Sequence, residues 1–149
     1  MIETEHLVLV PLDDEIAGHI LSGDVSCLEH VAGWPHADTL DGVRLRAAGA
    51  AVWLVGLDGV VIGDCGTTGP IDDGAVEIGF GLAEDERGRG YGTELVAGLS
   101  SWLLAHENID SVVATTDTEN AASRRVLEKA GFELAGVGDG LARYVRDVG

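Results

Sequence analysis

A glycine-rich segment at residues 87–93, Arg-Gly-Arg-Gly-Tyr-Gly-Thr, separates an apolar run at 75–82 from an apolar-periodic run at 94–106. The first run is typical of a strand and the second of a helix. The predicted apolar stripe of that helix comprises Leu95, Leu99, Trp102 and Leu103. Alternating glycines let the backbone turn sharply and approach an anion closely, while the following helix directs its N-terminal amides at that anion. The segment therefore predicts a phosphate-binding turn between a strand and a helix.

The spacing of these glycines excludes two common phosphate-binding motifs. No Lys-Ser or Lys-Thr pair follows them, as a nucleotide-hydrolysing P-loop requires, and Gly88, Gly90 and Gly92 do not fit the dinucleotide pattern G-x-G-x-x-G. The pattern that fits is Arg/Gln-x-x-Gly-x-Gly/Ala, in which Arg87 takes the first position. The basic side chains of Arg87 and Arg89 would add positive charge beside the backbone amides.

The charge of the chain restricts its partners. A length of 149 residues predicts a single domain over 1–149, and the formal net charge of −17 disfavours nucleic acid, because it would repel the phosphate backbone. An acidic surface favours cationic ligands such as amines or basic peptides. The simpler alternative is that this charge only keeps the protein in solution.

The cysteines and the N-terminus point to no special chemistry. Cys27 and Cys65 have neither C-x-x-C spacing nor a nearby histidine pair, so we expect no disulfide framework, no metal site and two ordinary buried thiols. The N-terminus has no basic and apolar leader pattern, and no apolar stretch approaches the about 20 residues that span a bilayer. We therefore expect a cytoplasmic protein without membrane contact.

The periodicity along the chain predicts the element order β-α-α-β-β-β-α-β-α-β-β. Two Asp-Gly pairs, at 58–59 and 139–140, lie between apolar runs and are typical of tight hairpin turns. Asn120 is a suitable first cap for a helix over 121–129, and Gly131 is suited to end it.

Two motifs at a suitable separation resemble those of the GNAT superfamily of N-acetyltransferases. The first is the glycine-rich segment at 87–93, and the second is 120–132, which is similar to the signature N-x-x-S-x-x-x-x-x-K-x-G-F. The segments 3–12 and 77–80 also resemble the branch that acetylates N-terminal amines of ribosomal proteins. The resemblance implies an α/β (α+β) fold with a mixed, mostly antiparallel central sheet of about six to seven strands and four flanking helices.

The resemblance also implies a mechanism, in which an amine attacks the thioester of acetyl-CoA directly. The attacking amine must be neutral, whereas an unperturbed amine with a pKa of about 8 to 10 is mostly protonated at neutral pH. Glu77, on the strand before the glycine-rich segment, matches the family's acidic position and is the predicted base. The alternative is that Glu77 is an ordinary solvated carboxylate on the face of the strand.

The implied coenzyme A site draws on three segments. Backbone N–H groups of the strand would bond the pantetheine arm, the glycine-rich segment would hold the pyrophosphate, and the 120–132 motif would add an amide and a guanidinium. The predicted cofactor-binding residues are Phe80, Gly81, Leu82, Arg87, Gly88, Arg89, Gly90, Tyr91, Gly92, Thr93, Asn120 and Arg125. Asn120 can serve as a helix cap at the same time, and Arg125, like Arg124, can instead pair with Glu128.

The departing thiolate lacks the usual proton donor. The tyrosine that many family members carry there falls at Leu127, so Ser123 is the candidate donor, with water as the alternative. Trp34, in a Trp-Pro-His segment, is the candidate wall of the acceptor pocket, with core packing as its alternative.

Three functions remain open from the sequence. The first is acetyl transfer to a small-molecule amine or a peptide N-terminus, the second a non-catalytic acyl-CoA-binding or sensory module, and the third a binder of another nucleotide. The oligomeric state stays open, with a homodimer among the options.

Overall fold

The computed structural model describes residues 1–148, which form one eight-stranded sheet flanked by four helices. The strands are β1 (Ile2–Glu3), β2 (Val8–Pro11), β3 (Val52–Leu57), β4 (Val60–Thr67), β5 (Ala75–Leu82), β6 (Ser111–Asp117), β7 (Glu133–Gly138) and β8 (Leu141–Asp147). The helices are α1 (Asp14–Ser22), α2 (Ala37–Arg44), α3 (Tyr91–Leu104) and α4 (Ala121–Lys129). The predicted mixed architecture with four helices is confirmed, with slightly more strands than expected because the two-residue β1 adds an edge.

The strands follow the order β1-β2-β3-β4-β5-β6-β8-β7 across the sheet. Neighbouring strands are antiparallel, except that β5 and β6 are parallel. The crossover from β5 to β6 runs through α3, as parallel neighbours require. The parallel pairing involves the start of β5, and the end of β5 leads towards the glycine-rich segment.

The helices cover the sheet in two layers, and β3 shows how its residues divide between them. Trp53 and Val55 belong to the core that contains side chains of α3 and α4. Val52 and Leu54 belong to the core that contains side chains of α1 and α2. Successive side chains of a strand point to opposite faces, so α3 and α4 lie on one face of the sheet and α1 and α2 on the other.

The helix after the glycine-rich segment differs from its prediction. It runs over Tyr91–Leu104 rather than 94–106, because Gly90 adopts φ +87° and lets the chain enter the helix at once. Three residues of the predicted stripe are buried, but Trp102 is 39% exposed and packs edge-on against Trp53 and His106. Trp102 lies at the margin of the apolar stripe, and a large ring at that margin remains partly in contact with water.

The two cysteines differ in their burial. Cys65 is buried as expected, and burial raises the pKa of its thiol. Cys27 is exposed, contrary to the expectation, since it lies in the irregular segment between α1 and α2.

Candidate functional site

The glycine-rich segment forms a tight turn whose amides face outward at the start of α3. Gly88 has φ +79° and Gly90 φ +87°, values that side chains disfavour. Gly90 directly precedes the helix, and no side chain caps the first turn. The amides of Tyr91, Gly92 and Thr93 are therefore left to an external acceptor at the positive end of the helix dipole.

Gly92 has a second role in packing. A Cβ there would lie 3.2 Å from Cγ2 of Val126 on α4, so the glycine lets the two helices approach closely. Of the three alternating glycines, Gly88 and Gly90 are needed for backbone conformation and Gly92 for helix contact.

The two arginines of the segment are exposed beside these amides. Arg87 Nε donates to the carbonyl of Leu82 at 3.2 Å, which ties the turn to the end of β5. Arg89 lies 3.8 Å from Glu86, a distance that leaves its guanidinium N–H groups available. Their remaining donors can reach a bound anion.

The parallel strands β5 and β6 separate over most of their length. They pair only from Ala75 with Ser111 to Glu77 with Val113, although β5 continues to Leu82 and β6 to Asp117. The gap therefore widens towards the two chain segments that lead into α3 and α4. An extended ligand could hydrogen-bond to the unpaired backbone groups on this edge of β5.

The direction of those backbone groups follows from the register. Glu77 accepts a backbone bond from Thr68, and Ala83 donates one to Ile62, so the odd-numbered residues of β5 face β4. Phe80 and Leu82 consequently turn their amides to the gap. The Gly81 amide instead points to its cross-strand partner Asp64 on β4. Of the three predicted backbone donors, Phe80 and Leu82 therefore lie on the open edge and Gly81 does not.

The second motif provides the start of α4. Asn120 caps this helix, because its Oδ1 accepts from the Ser123 amide at 3.1 Å. Arg124 is engaged within the fold: its Nε donates to the Tyr144 hydroxyl at 3.0 Å and its Nη1 to the Thr118 carbonyl at 3.1 Å. The hydrogen bond to Tyr144 raises the pKa of Arg124. Arg125 is instead exposed to solvent.

Leu127, the residue that the resemblance aligns with the usual tyrosine, is fully buried in the core beneath α4. Its side chain can donate no proton. Ser123 is half-buried one turn earlier on the same helix.

Glu77 lies at the closed end of the gap. It is exposed, and its Oε1 accepts from the Thr68 hydroxyl on the neighbouring strand at 3.0 Å. Its side chain shares the face of Gly79 and Gly81, which is the face covered by α2.

A cavity of about 270 Å³ opens on that same face, between α2 and the strands β4 and β5. Its floor is largely glycine backbone, and its walls carry three acids and one histidine. The floor glycines are Gly66, Gly79 and Gly81, and the polar walls are His36, Asp38, Asp41 and Asp64. A larger depression of about 660 Å³ between α3 and β8 contains none of the predicted site residues.

His36 closes one end of this cavity. Its Nδ1 accepts from the Thr39 amide at 3.3 Å, so the ring caps α2. The ring packs on Gly81, where a Cβ would stand 3.1 Å from Cε1. Among residues 1–148, its Nε2 is one of two buried polar atoms without a hydrogen-bond partner.

Asp64 lies behind His36 and is held by two side chains. Trp34 Nε1 and Thr39 Oγ1 both donate to its Oδ2, at 2.9 and 2.6 Å. Burial raises the pKa of this carboxyl, although the bonds from Thr39 and Trp34 oppose the shift. Trp34 is 2% exposed and packs in the core of α1 and α2, so it borders the cavity through Asp64 rather than by its own ring.

Neither Asp64 nor His36 was among the predicted site residues. Asp64 could have been found, because an acid inside the apolar run 60–65 is a buried polar residue and needs partners. His36 carried no comparable pattern, since its place over Gly81 depends on how α2 packs.

The four helices within residues 1–148 are each too short or too polar to cross a bilayer. Comparison with protein families gives a match over residues 6–133 to the model described as an acetyltransferase (GNAT) domain.

A curated relative, the uncharacterized N-acetyltransferase YjdG of Bacillus subtilis (strain 168), is 35% identical over 75 residues. That match covers 50% of this chain and 45% of the relative, so the matched segment spans less than half of that protein.

Solved structures share the fold at low identity. The aminoglycoside acetyltransferase AAC(6')-Ib in complex with coenzyme A aligns with a TM-score of 0.71 at 18% identity, over 95% of this chain and 94% of that one. The ribosomal L7/L12 alpha-N-protein acetyltransferase RimL, in complex with coenzyme A, aligns with a TM-score of 0.70 at 18% identity, over 97% and 96%.

Proposed function

Because this chain belongs to the acetyltransferase (GNAT) domain family, we propose that it transfers an acetyl group from acetyl-CoA directly to a primary amine. The observation that carries the proposal is the uncapped start of α3 at the mouth of the gap between β5 and β6. That arrangement offers an anion site and an unpaired strand edge side by side, which suits a ligand with a pyrophosphate and an amide-bearing arm.

The residues of the gap would divide the binding of acetyl-CoA between them. The amides of 91–93 and the guanidinium groups of Arg87 and Arg89 would hold the pyrophosphate. Phe80 and Leu82 would bond the arm through their open-edge amides, and one of these donors would stabilise the oxyanion that forms during attack. Asn120 and Arg125 stay predicted contacts at the start of α4.

The amine acceptor would enter from the face of the sheet that α1 and α2 cover, through the cavity under α2. Asp38, Asp41 and Asp64 give this cavity a negative potential that attracts a cationic amine. The glycine floor leaves room for a chain beside the sheet. Relatives of similar fold are named for aminoglycosides and for a ribosomal protein N-terminus, and both kinds of acceptor present such an amine.

Glu77 and Ser123 stay the predicted base and thiolate donor. The buried Leu127 favours one rival function, a non-catalytic acyl-CoA-binding module, because the usual tyrosine is missing. A thiol-release assay with acetyl-CoA decides between them, using amines and peptides with free and blocked N-termini. Amine-dependent release supports acetyl transfer, whereas tight coenzyme A binding without release in any mixture supports the module.

A further inference from the structure

Asp64 is the one carboxylate of the cavity that is both buried and anchored by its neighbours. It is 9% exposed within a strand whose adjacent residues are also buried. Both of its hydrogen bonds reach Oδ2. Its other oxygen, Oδ1, takes no hydrogen bond within residues 1–148 and is not among the buried atoms that lack a partner, so it opens to the cavity. One oxygen is therefore fixed while the other is accessible.

Asp64 also lies beside the part of β5 that would hold the acyl group. Its cross-strand partner is Gly81. In a hydrogen-bonded antiparallel pair such as this one, the Cα atoms are about 5.5 Å apart and the side chains lie on the same face. Phe80 and Leu82 flank Gly81 and present their amides to the gap. Gly81 itself has no side chain, and the ring that packs over it is that of His36.

We propose that Asp64 Oδ1 binds the acceptor ammonium and removes the proton that the nitrogen must lose before it attacks. This assignment rests on the acetyl-transfer function proposed above. It assigns to Asp64, on β4, the role of base for which the sequence predicts Glu77 on the neighbouring strand β5.

The reaction balances with Asp64 in this role. The ammonium gives one proton to Oδ1, which later releases it to solvent in the cavity. The freed lone pair forms the N–C bond to the acyl carbon, and the C–S bond breaks with its electron pair on sulfur. The nitrogen loses a second proton to water as the amide forms, the thiolate gains a proton from the Ser123 hydroxyl or from water, and solvent returns a proton to the donor, so that only the first proton is released in total. The products are an N-acetyl amide and a free thiol.

The surroundings suit a base more than an ordinary surface acid. Burial raises the pKa of Asp64, which improves a carboxylate as a proton acceptor. The charged or titratable groups on its side of the sheet are His36, which caps α2, and Asp38 and Asp41 of α2. Cys65, next to it in β4, belongs to the core on the opposite face, and the residue directly opposite it on β5 is Gly81. The two donors on Oδ2 fix the direction of Oδ1, as a catalytic carboxylate requires.

Glu77 occupies a different position. It is exposed, its carboxylate is engaged by Thr68, and it is not part of the cavity wall. It precedes Gly81 by four residues, which corresponds to about 13 Å along a strand at about 3.3 Å per residue. The two carboxylates therefore face different ends of the glycine floor, and separate variants can distinguish their roles.

The test compares Asp64→Asn with Glu77→Gln and with a matched control, Asp58→Asn. Asparagine at 64 can still accept from Trp34 and Thr39, so the fold is retained while the basic oxygen is lost. Asp58 is an exposed hairpin residue at φ +52°, a conformation that asparagine tolerates. We measure kcat/KM against pH with the best acceptor from the thiol-release assay, together with the affinity for coenzyme A.

We expect Asp64→Asn to lower kcat/KM by about 100-fold or more and to remove the acidic limb of the pH profile, with coenzyme A affinity unchanged. With a fluorinated alkylamine that is already neutral at the assay pH, the loss should shrink to less than about tenfold, because no proton has to be removed before the nitrogen attacks. A purely structural role would instead reduce transfer to both amines equally.

Two outcomes would overturn the assignment. One is an Asp64→Asn protein with a wild-type rate and pH profile while Glu77→Gln loses both. The other is an equal loss with the basic and the neutral amine. Absence of amine-dependent thiol release from the wild-type protein and from Asp58→Asn would overturn the proposed function as well, so the two failures are distinguishable.

Discussion

The indole N–H of Trp34 donates a 2.9 Å hydrogen bond to the carboxylate of Asp64, across 30 positions of sequence. This bond joins the irregular segment before α2 to the middle of the sheet, and both of its groups are buried. We predict that Trp34→Phe lowers the free energy of unfolding by about 2 kcal/mol, because it leaves a buried acceptor with one donor fewer.

Urea denaturation measures this change. Trp102→Phe is the matched control, since its ring is partly exposed and we expect a smaller loss there. A Trp34→Phe protein as stable as the control variant would contradict the structural importance of the bond.

The guanidinium groups beside the uncapped helix should contribute to coenzyme A binding. We predict that Arg87→Gln and Arg89→Gln each raise the dissociation constant for coenzyme A by about tenfold, which is the effect of losing one charge-assisted hydrogen bond. Each substitution should also make this dissociation constant less dependent on salt concentration. Titration calorimetry at two salt concentrations measures both effects. Arg143→Gln, an exposed arginine on β8, should change neither. Equal affinities for all four proteins would contradict the proposed pyrophosphate site.

Two glycine substitutions should have opposite effects on stability. Gly90 has φ +87°, so Gly90→Ala should lower the free energy of unfolding by about 1 to 2 kcal/mol and weaken coenzyme A binding as well. Gly18 lies inside α1 with no atom near its missing Cβ, so Gly18→Ala should raise the free energy of unfolding by about 0.5 to 1 kcal/mol without affecting ligand. Thermal unfolding with and without coenzyme A checks both signs.

The N-terminal segment is fastened to α3 by Glu94, and this contact should make stability depend on pH. Glu94 accepts from the His6 ring and the His6 amide, each at 2.7 Å, and from the Leu7 amide at 3.1 Å. The hydrogen bond to Glu94 raises the pKa of His6 above 6.5. Burial alone would raise the pKa of Glu94, but its hydrogen bonds from Thr4 and His6 lower it overall.

The sign follows from linkage. The pKa of His6 is higher in the folded protein than in the unfolded chain, so protonation of His6 stabilises the fold. This contribution to the free energy of unfolding is complete below the pKa of the unfolded chain and disappears as the pH rises through the pKa of the folded protein. The melting temperature of the wild type should therefore exceed that of His6→Gln most at about pH 6 and least at about pH 9. His106→Gln, at an exposed site two residues after α3, is the control for loss of a histidine outside the Glu94 contact. A constant difference across this range would contradict the prediction.

Structural features that depend only on residues close together in the chain were predictable from the sequence. The glycines at 88 and 90 demand a turn by their own conformational freedom, Asn120 caps the helix that it precedes, and the Asp-Gly pair at 58–59 lies in its expected hairpin. These features need only neighbours within a few residues.

Features that depend on distant packing were not predictable. Asp64 acquires its partners from a segment 25 to 30 residues earlier, so its chemistry depends on how α2 docks on the sheet. Arg124 could not be separated from Arg125 by sequence, because only the fold brings Tyr144 to one of them. The exposure of Trp102 likewise depends on how much of α3 the sheet covers.

The short pairing between β5 and β6 means that the sheet consists of a five-strand unit and a three-strand unit joined along a narrow seam. With so few backbone bonds across it, we expect the two units to twist relative to each other, and a ligand lodged in the seam to restrict that motion. The cavity under α2, which we propose admits the acceptor, lies on the five-strand side, adjacent to the seam. We therefore expect ordered kinetics, in which the thioester binds first and the amine then meets a stiffened surface.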